Sequence, residues 1–359
     1  MINFFILKII YYLIFAIITL VPILLSVAYF VLFERKGMGS IQRRSGPSNI
    51  GIYGCFQTIA DAGKLLTKEI SIPFKSNFFF FFFSPVFSFF ISLLCWITIP
   101  FNYNNFFIDF NYSALLIFVI NSFSLYSLIL PGISSYSKYT VLGSFRALAQ
   151  FISYEIILSF IFLFILLVCS SFNIIEIVLY QQLNIFLFIP LFPLSIIFFI
   201  GILAETNRAP FDLPEAESEL VSGYSTEYSA APYVMFFLAE YANMILWSFL
   251  FVFFFLGGWT FPFFSSIKLF FFKLFKVFFY IPNLFKFFIY MYTYIIYNFS
   301  IIIFLIKVLF INFLFILVRA AIPRYRFDSL LYIAWKVFLP FLLGYYIFIY
   351  FILLISNFI

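Results

Sequence analysis

The chain has 359 residues, is 65% hydrophobic and only 9% charged, and carries a formal net charge of +6. A soluble domain is about a quarter charged, so these figures exclude a water-soluble globular enzyme and describe a polytopic membrane protein. There is no histidine, which removes the usual haem ligand and the commonest zinc ligand, and Cys55, Cys95 and Cys169 have no ligand spacing.

At about 20 residues per span, the length accommodates about eight transmembrane helices. The apolar runs place them at 8–33, 78–100, 113–135, 148–171, 185–203, 233–258, 300–319 and 330–355. The fold class expected is therefore an all-α membrane protein, a single polytopic domain over 1–359. Lipid offers the backbone no hydrogen-bond partner, so the spans must be helical. The first apolar run has no small-residue cleavage site and reads as a span, not a removed signal. Phe makes up 64 residues; with Ile, Tyr and Asn also abundant, this suggests an A/T-rich organelle genome.

The connections sort by charge. Segment 34–77 holds Arg35, Lys36, Arg43, Arg44, Lys64, Lys68 and Lys75. Arg146, Arg208, Arg319, Arg324 and Arg326 lie in three further connections that an eight-span topology puts on the same side. The opposite loops at 101–112 and 172–184 hold only Asp109 and Glu176. By the positive-inside rule the basic face is matrix or cytoplasm. Within 34–77, the apolar spacing of Ile59 to Ile70 predicts an amphipathic surface helix after the first span. Residues 263–299 form an aromatic insertion with four lysines, spaced as in an interfacial helix with snorkelling side chains.

The acids are concentrated. Seven of the fourteen fall in Gly201–Tyr241: Glu205, Asp212, Glu215, Glu217, Glu219, Glu227 and Glu240. Pro210 and Pro214 make the start of the loop 204–232 irregular. It reads either as a solvated acidic loop or as a carboxylate-lined cavity that takes up protons or supports a partner. Glu155 and Glu240 lie about two turns inside spans, and Glu205 and Glu227 sit at span ends. A charge at mid-bilayer costs about 2.5–3.5 kcal/mol on insertion scales. Such acids suit a proton relay; structural pairing with Arg146 or Arg208 is the plainer alternative. On the basic side, Glu34 and Arg35 mark the lip of the first span, with Asp61 and Lys64 on the surface helix. That helix can bind lipid headgroups or roof a hydrophobic cavity open to the bilayer, suited to an amphipathic ligand dissolved in lipid.

These blocks resemble a known family. FERKGMGSIQRRSGPSNIGIYGCFQTIADAGKLLTKE, LGSFRALAQFISYE, AETNRAPFDLPEAESELVSGYSTEYSAAP followed by FFLAEY, the Gly257–Trp259 triplet and VRAAIPRYRFDSLLYIAWKVFLP are similar to the H-type (first mitochondrial) core membrane subunit of respiratory complex I, NADH:ubiquinone oxidoreductase. They cover about a third of the chain, in order. Ser45, Ala231 and Tyr233 depart from the usual residues. The resemblance implies an eight-span subunit without its own redox centre, part of an NADH:ubiquinone reductase that translocates protons. It implies a quinone passage lined by Arg35, Asp61, Ala62 and Phe237. It implies a proton path of Glu155, Glu205, Asp212, Glu215, Glu217, Glu227 and Glu240 with Arg146 and Arg208. Glu34, Arg319, Arg324 and Arg326 would support the loops.

The same resemblance sets the surroundings. Ubiquinone is the expected substrate, and FMN and iron–sulfur clusters are expected in partner subunits, none in this chain. Expected partners are the hydrophilic-arm subunits with the terminal cluster, neighbouring small and antiporter-like membrane subunits, and lipid, with no nucleic acid. The expected location is the mitochondrial inner membrane, organelle-encoded. Alternatives are the membrane anchor of an energy-converting hydrogenase and an independent ion/proton antiporter.

Overall fold

The computed structural model describes residues 2–102, 110–214, 221–260 and 282–358; for 2–16, 18, 282–299, 353 and 356–358 only the backbone is described. Helix α1 spans Ile2–Ile41 and α2, the surface helix, Gln57–Thr67. Then come α3 (Phe78–Leu94), α4 (Ser113–Ser122), α5 (Ser124–Ser134), α6 (Lys138–Cys169), α7 (Ile174–Leu183) and α8 (Phe192–Glu205). The last four are α9 (Ala230–Phe255), α10 (Pro282–Ala321), α11 (Phe327–Tyr332) and α12 (Leu339–Phe358).

Among the described residues, six helical stretches are long and apolar enough to cross a membrane: Phe78–Thr98, Ser113–Ser134, Lys138–Cys169, Ala230–Phe255, Ser300–Ala321 and Phe327–Ile352. The protein is thus an all-α membrane protein, as the composition requires. The remaining two expected spans fall on α1 and α8. At 14 residues, α8 rises only about 21 Å, short of a hydrocarbon core of about 30 Å.

Three local expectations change. The short loop expected at 172–184 contains a helix, α7, started by Asn173, whose side chain accepts a hydrogen bond from the Ile175 amide. Asn, not charge, is the start signal there. The turn expected to carry Arg146 is already helical, because Ser137 caps α6 and accepts from the Thr140 amide. In the insertion 263–299, residues 261–281 lie outside the described part. Residues 282–299 are not a separate surface helix; they continue into the seventh span as the 40-residue α10.

Helix α9 is the axis of the bundle. It packs against α1, α2, α3, α7, α8 and α10. Most residues of its apolar stretch are buried, whereas few of those in the last span are; α9 is a core helix and the last span presents most of its surface outward. Two features fix its surroundings. At its C-terminal end the Lys307 ammonium, from α10, donates to the carbonyls of Leu256, Gly258 and Thr260 at 2.6, 2.9 and 2.7 Å. A cation suits the carbonyl-rich end of a helix. In the last span, Ile333–Phe338 winds as a π-helix, and Trp335 Nε1 donates to Ser153 Oγ of α6 at 3.1 Å.

Candidate functional site

Two polar clusters lie on adjacent residues of α9. Consecutive helical residues point about 100° apart, so Tyr241 and Glu240 reach different neighbours.

Tyr241 turns toward α1. Its hydroxyl donates to Glu34 Oε2 at 2.5 Å. Glu34 is 3% exposed. Its other oxygen accepts from Arg319 Nη1 and faces Arg208 Nη1 at 3.7 Å. The Arg208 guanidinium lies over the Tyr241 ring, 4.2 Å from its centroid, a cation–π arrangement. Two cations and a phenol favour the ionised carboxylate despite its burial. Glu34 therefore ties together α1, the loop after α8, α9 and the end of α10. One turn before Tyr241, the Phe237 ring packs on the Tyr241 ring, with centroids 4.6 Å apart.

The loop after α8 is held in place by an amide. Gln150 Nε2 of α6 donates to Ala204 O at 2.7 Å, Phe211 O at 2.9 Å and Asn207 Oδ1 at 3.2 Å. Further along, Arg324 Nη2 pairs with Asp212 Oδ2 at 3.1 Å, the Tyr325 amide donates to Pro210 O, and the Tyr325 ring stacks on Phe211. Arg326 pairs locally, with Asp328 at 3.3 Å, at the exposed surface. Arg146 lies over the Phe327 ring, 6.0 Å from its centroid.

Glu240 turns the other way. Its Oε1 accepts from the Tyr224 hydroxyl at 2.5 Å. Glu205, 5% exposed at the end of α8, accepts from Asn121 Nδ2 at 2.5 Å. Glu205 and Glu240 line one small cavity of about 50 Å³, with Ser88, Ser124, Ser127 and Tyr224 on its wall. Half-buried Glu155 on α6 lies within electrostatic reach of Glu205. Glu227 is half-buried in the turn before α9. Glu215, Glu217 and Glu219 lie outside the described residues.

At the surface, Arg35 Nη1 pairs with Asp61 Oδ2 at 2.5 Å, and Gln57 Nε2 donates to Asp61 Oδ1 at 3.0 Å. This joins the end of α1 to α2. Lys36 Nζ donates to Tyr53 O, and Ala62 is half-buried on α2. No residue of α2 is fully buried, as expected for a helix lying along an interface.

The residues singled out in the sequence thus separate into groups, besides the Asp212–Arg324 pair. Glu34, Arg208 and Arg319 meet; Glu205 and Glu240 share a cavity, with Glu155 close to Glu205; Arg35 and Asp61 pair at the surface. Glu205 does not have the arginine partner that the plainer alternative offered: Glu205 takes Asn121, and Arg208 faces Glu34. Sequence reasoning missed Asn121, Gln150, Tyr224 and Tyr241. The only available signal for Asn121 was an amide within an apolar run; Tyr224 and Tyr241 differ little in kind from the chain's other 23 tyrosines. Among the described residues no three His, Cys, Asp or Glu side chains converge as metal ligands.

The relatives agree on one family. A family profile described as NADH dehydrogenase matches residues 14–350. NADH-ubiquinone oxidoreductase chain 1 of Arabidopsis thaliana is 46% identical over 321 residues, covering 89% of this chain and 90% of that protein. The chain 1 protein of Cyanidium caldarium is 44% identical, covering 89% of this chain and 85% of its own length. A bacterial NADH-quinone oxidoreductase protein, from Rhodospirillum rubrum, is 41% identical, covering 89% and 87%. With matches running nearly end to end, this all-helical membrane chain belongs to the NADH dehydrogenase family, among the chain 1 proteins and their bacterial counterparts.

Proposed function

We propose that the chain is a core membrane subunit of complex I that forms the membrane part of a quinone chamber and a carboxylate proton path beside it. Quinone would be reduced by the terminal iron–sulfur cluster of a hydrophilic-arm partner, with FMN further up that arm. This chain would supply a greasy passage for the isoprenoid tail and the acids that answer the reduction. Neighbouring small and antiporter-like membrane subunits would receive the protons. For an organelle-encoded chain the setting is the mitochondrial inner membrane, and the quinone is ubiquinone.

The observation that carries this reading is Glu205. A carboxyl group buried at a span end, with an amide on one oxygen, is far from the charge-compensated environment that a purely structural acid needs. It shares a cavity with Glu240 and is within electrostatic reach of Glu155. Acids brought together in an apolar environment are suited to exchanging protons, because small changes in nearby charge redistribute them. The charge that changes would be at the quinone passage, expected beside Arg35, Asp61, Ala62 and Phe237. The Glu34 cluster would link the two: Tyr241 contacts Phe237, Glu34 and Arg208, and Glu34 in turn pairs with Arg319. Relatives named for NADH–quinone oxidoreductases favour this reading over a hydrogenase anchor or an independent antiporter.

The test is Glu205→Gln in the assembled complex in sealed vesicles. Quinone reduction that loses its linked proton translocation supports the path; native rates of both remove Glu205 from it. At the passage, Asp61→Asn is expected to raise the apparent KM for quinone, and a KM equal to the native value would place the passage elsewhere.

A further inference from the structure

The cavity between Glu205 and Glu240 contains two unmet polar atoms. Glu205 Oε2 and Ser124 Oγ are buried, line the cavity, and have no hydrogen-bond partner among the described residues. Their residues are 5% and 7% exposed. Buried polar atoms left in this state are costly, and internal water is what normally satisfies them. At about 50 Å³, the cavity has room for about three to five water molecules at roughly 10–15 Å³ of accessible volume each. Serines from α3 and α5 complete the polar wall.

One wall residue also reaches beyond it. Tyr224 lines the cavity and donates its hydroxyl to Glu240. It sits not on a span but on the short 3-10 turn Gly223–Ser225, just after the acidic segment of the loop 204–232. The turn is seated directly on α6. A Cβ added to Gly143 would lie 2.8 Å from Gly223 Cα and 2.9 Å from the Tyr224 nitrogen. Gly223 itself has φ +58°, a conformation that side chains resist. The position of the Tyr224 hydroxyl is therefore set in part by a glycine–glycine contact.

We infer that this cavity is a water site and that Tyr224 is the hydroxyl through which a proton passes from it to Glu240. The inference rests on the carboxylate-path reading and adds a named link to it. Glu205 releases a proton to the water cluster. The cluster passes one proton to Tyr224 Oη as the phenol gives its own proton to the Glu240 carboxylate. The phenol ends neutral, the cluster ends unchanged, and one proton has moved from Glu205 to Glu240.

Two variants test this in the assembled complex in sealed vesicles, with protons translocated per quinone reduced and the solvent deuterium isotope effect as readouts. Tyr224→Phe keeps the ring contact with Phe236 and removes only the hydroxyl. Linked translocation is expected to slow roughly tenfold, the scale of one lost charge-assisted hydrogen bond, with a changed isotope effect. Gly143→Ala keeps the hydroxyl and displaces the turn, so it is expected to move the same two readouts in the same direction. Native translocation and isotope effect in Tyr224→Phe, with translocation lost in Glu205→Gln, would overturn the Tyr224 link and leave the carboxylate path standing. Native translocation in both Glu205→Gln and Glu240→Gln would overturn the path itself. If Tyr224→Phe does not accumulate, Ser124→Val, which fills the cavity from α5, takes its place, and native translocation in that variant would sink the water site.

Discussion

Glu34 and Glu205 are both buried glutamates beside α9, yet their surroundings are opposite. Glu34 is met by two guanidiniums and a phenol drawn from three other parts of the chain. Glu205 is met by one neutral amide and faces a cavity with its second oxygen. The first arrangement fixes a charge and uses it as a joint. The second leaves an acid whose protonation can respond to its neighbours. A buried carboxylate thus shows its role by how completely it is compensated, not by burial alone.

The same substitution at the two sites breaks the comparison most directly. Glu34→Gln strands two partly buried guanidiniums, and losing one partner of a buried pair costs about 3–5 kcal/mol; thermal unfolding and the yield of assembled complex are expected to fall accordingly. Tyr241→Phe removes one hydrogen bond to that charge and is expected to cost about 1.5–3 kcal/mol by the same measurement. Asn121→Leu leaves the second Glu205 oxygen unmet as well, for about 1–3 kcal/mol. Glu205→Gln replaces an under-compensated acid with a neutral isostere. Its stability is expected to stay within about 1 kcal/mol of native while translocation falls, the reverse of Glu34→Gln. Arg326→Ala is the floor of the scale: its pair with Asp328 is 85% and 74% exposed, and such pairs contribute roughly 0–1 kcal/mol. A Glu205→Gln variant as unstable as Glu34→Gln would erase the distinction.

One half of this contrast was legible in the sequence. Charge inside an apolar chain is conspicuous because lipid rejects it, so Glu34, Glu155, Glu205, Glu240, Arg208 and Arg319 could be marked from their positions alone. The amphipathic run 59–70 likewise marked α2, observed at Gln57–Thr67. Partner choice was not legible. Glu34 and Arg319 are 285 residues apart, and Asn121 and Glu205 are 84 apart; nothing local encodes such pairings. Amides such as Asn121 and Gln150 cost lipid less than charges do, so they do not stand out. Gly143 looks like any small helical residue until Gly223 is seen against it. The short helix α7 was missed because ten residues are too few to read as a span.

The Lys307 cap has a mechanical consequence. Helix α9 is tied near its middle by Tyr241 to the Glu34 joint and at its C-terminal end by an ammonium gripping three carbonyls. A rod held at two points along its length resists sliding along its axis. Movement that reaches Glu240 must then arrive sideways, from the turn that presents Tyr224.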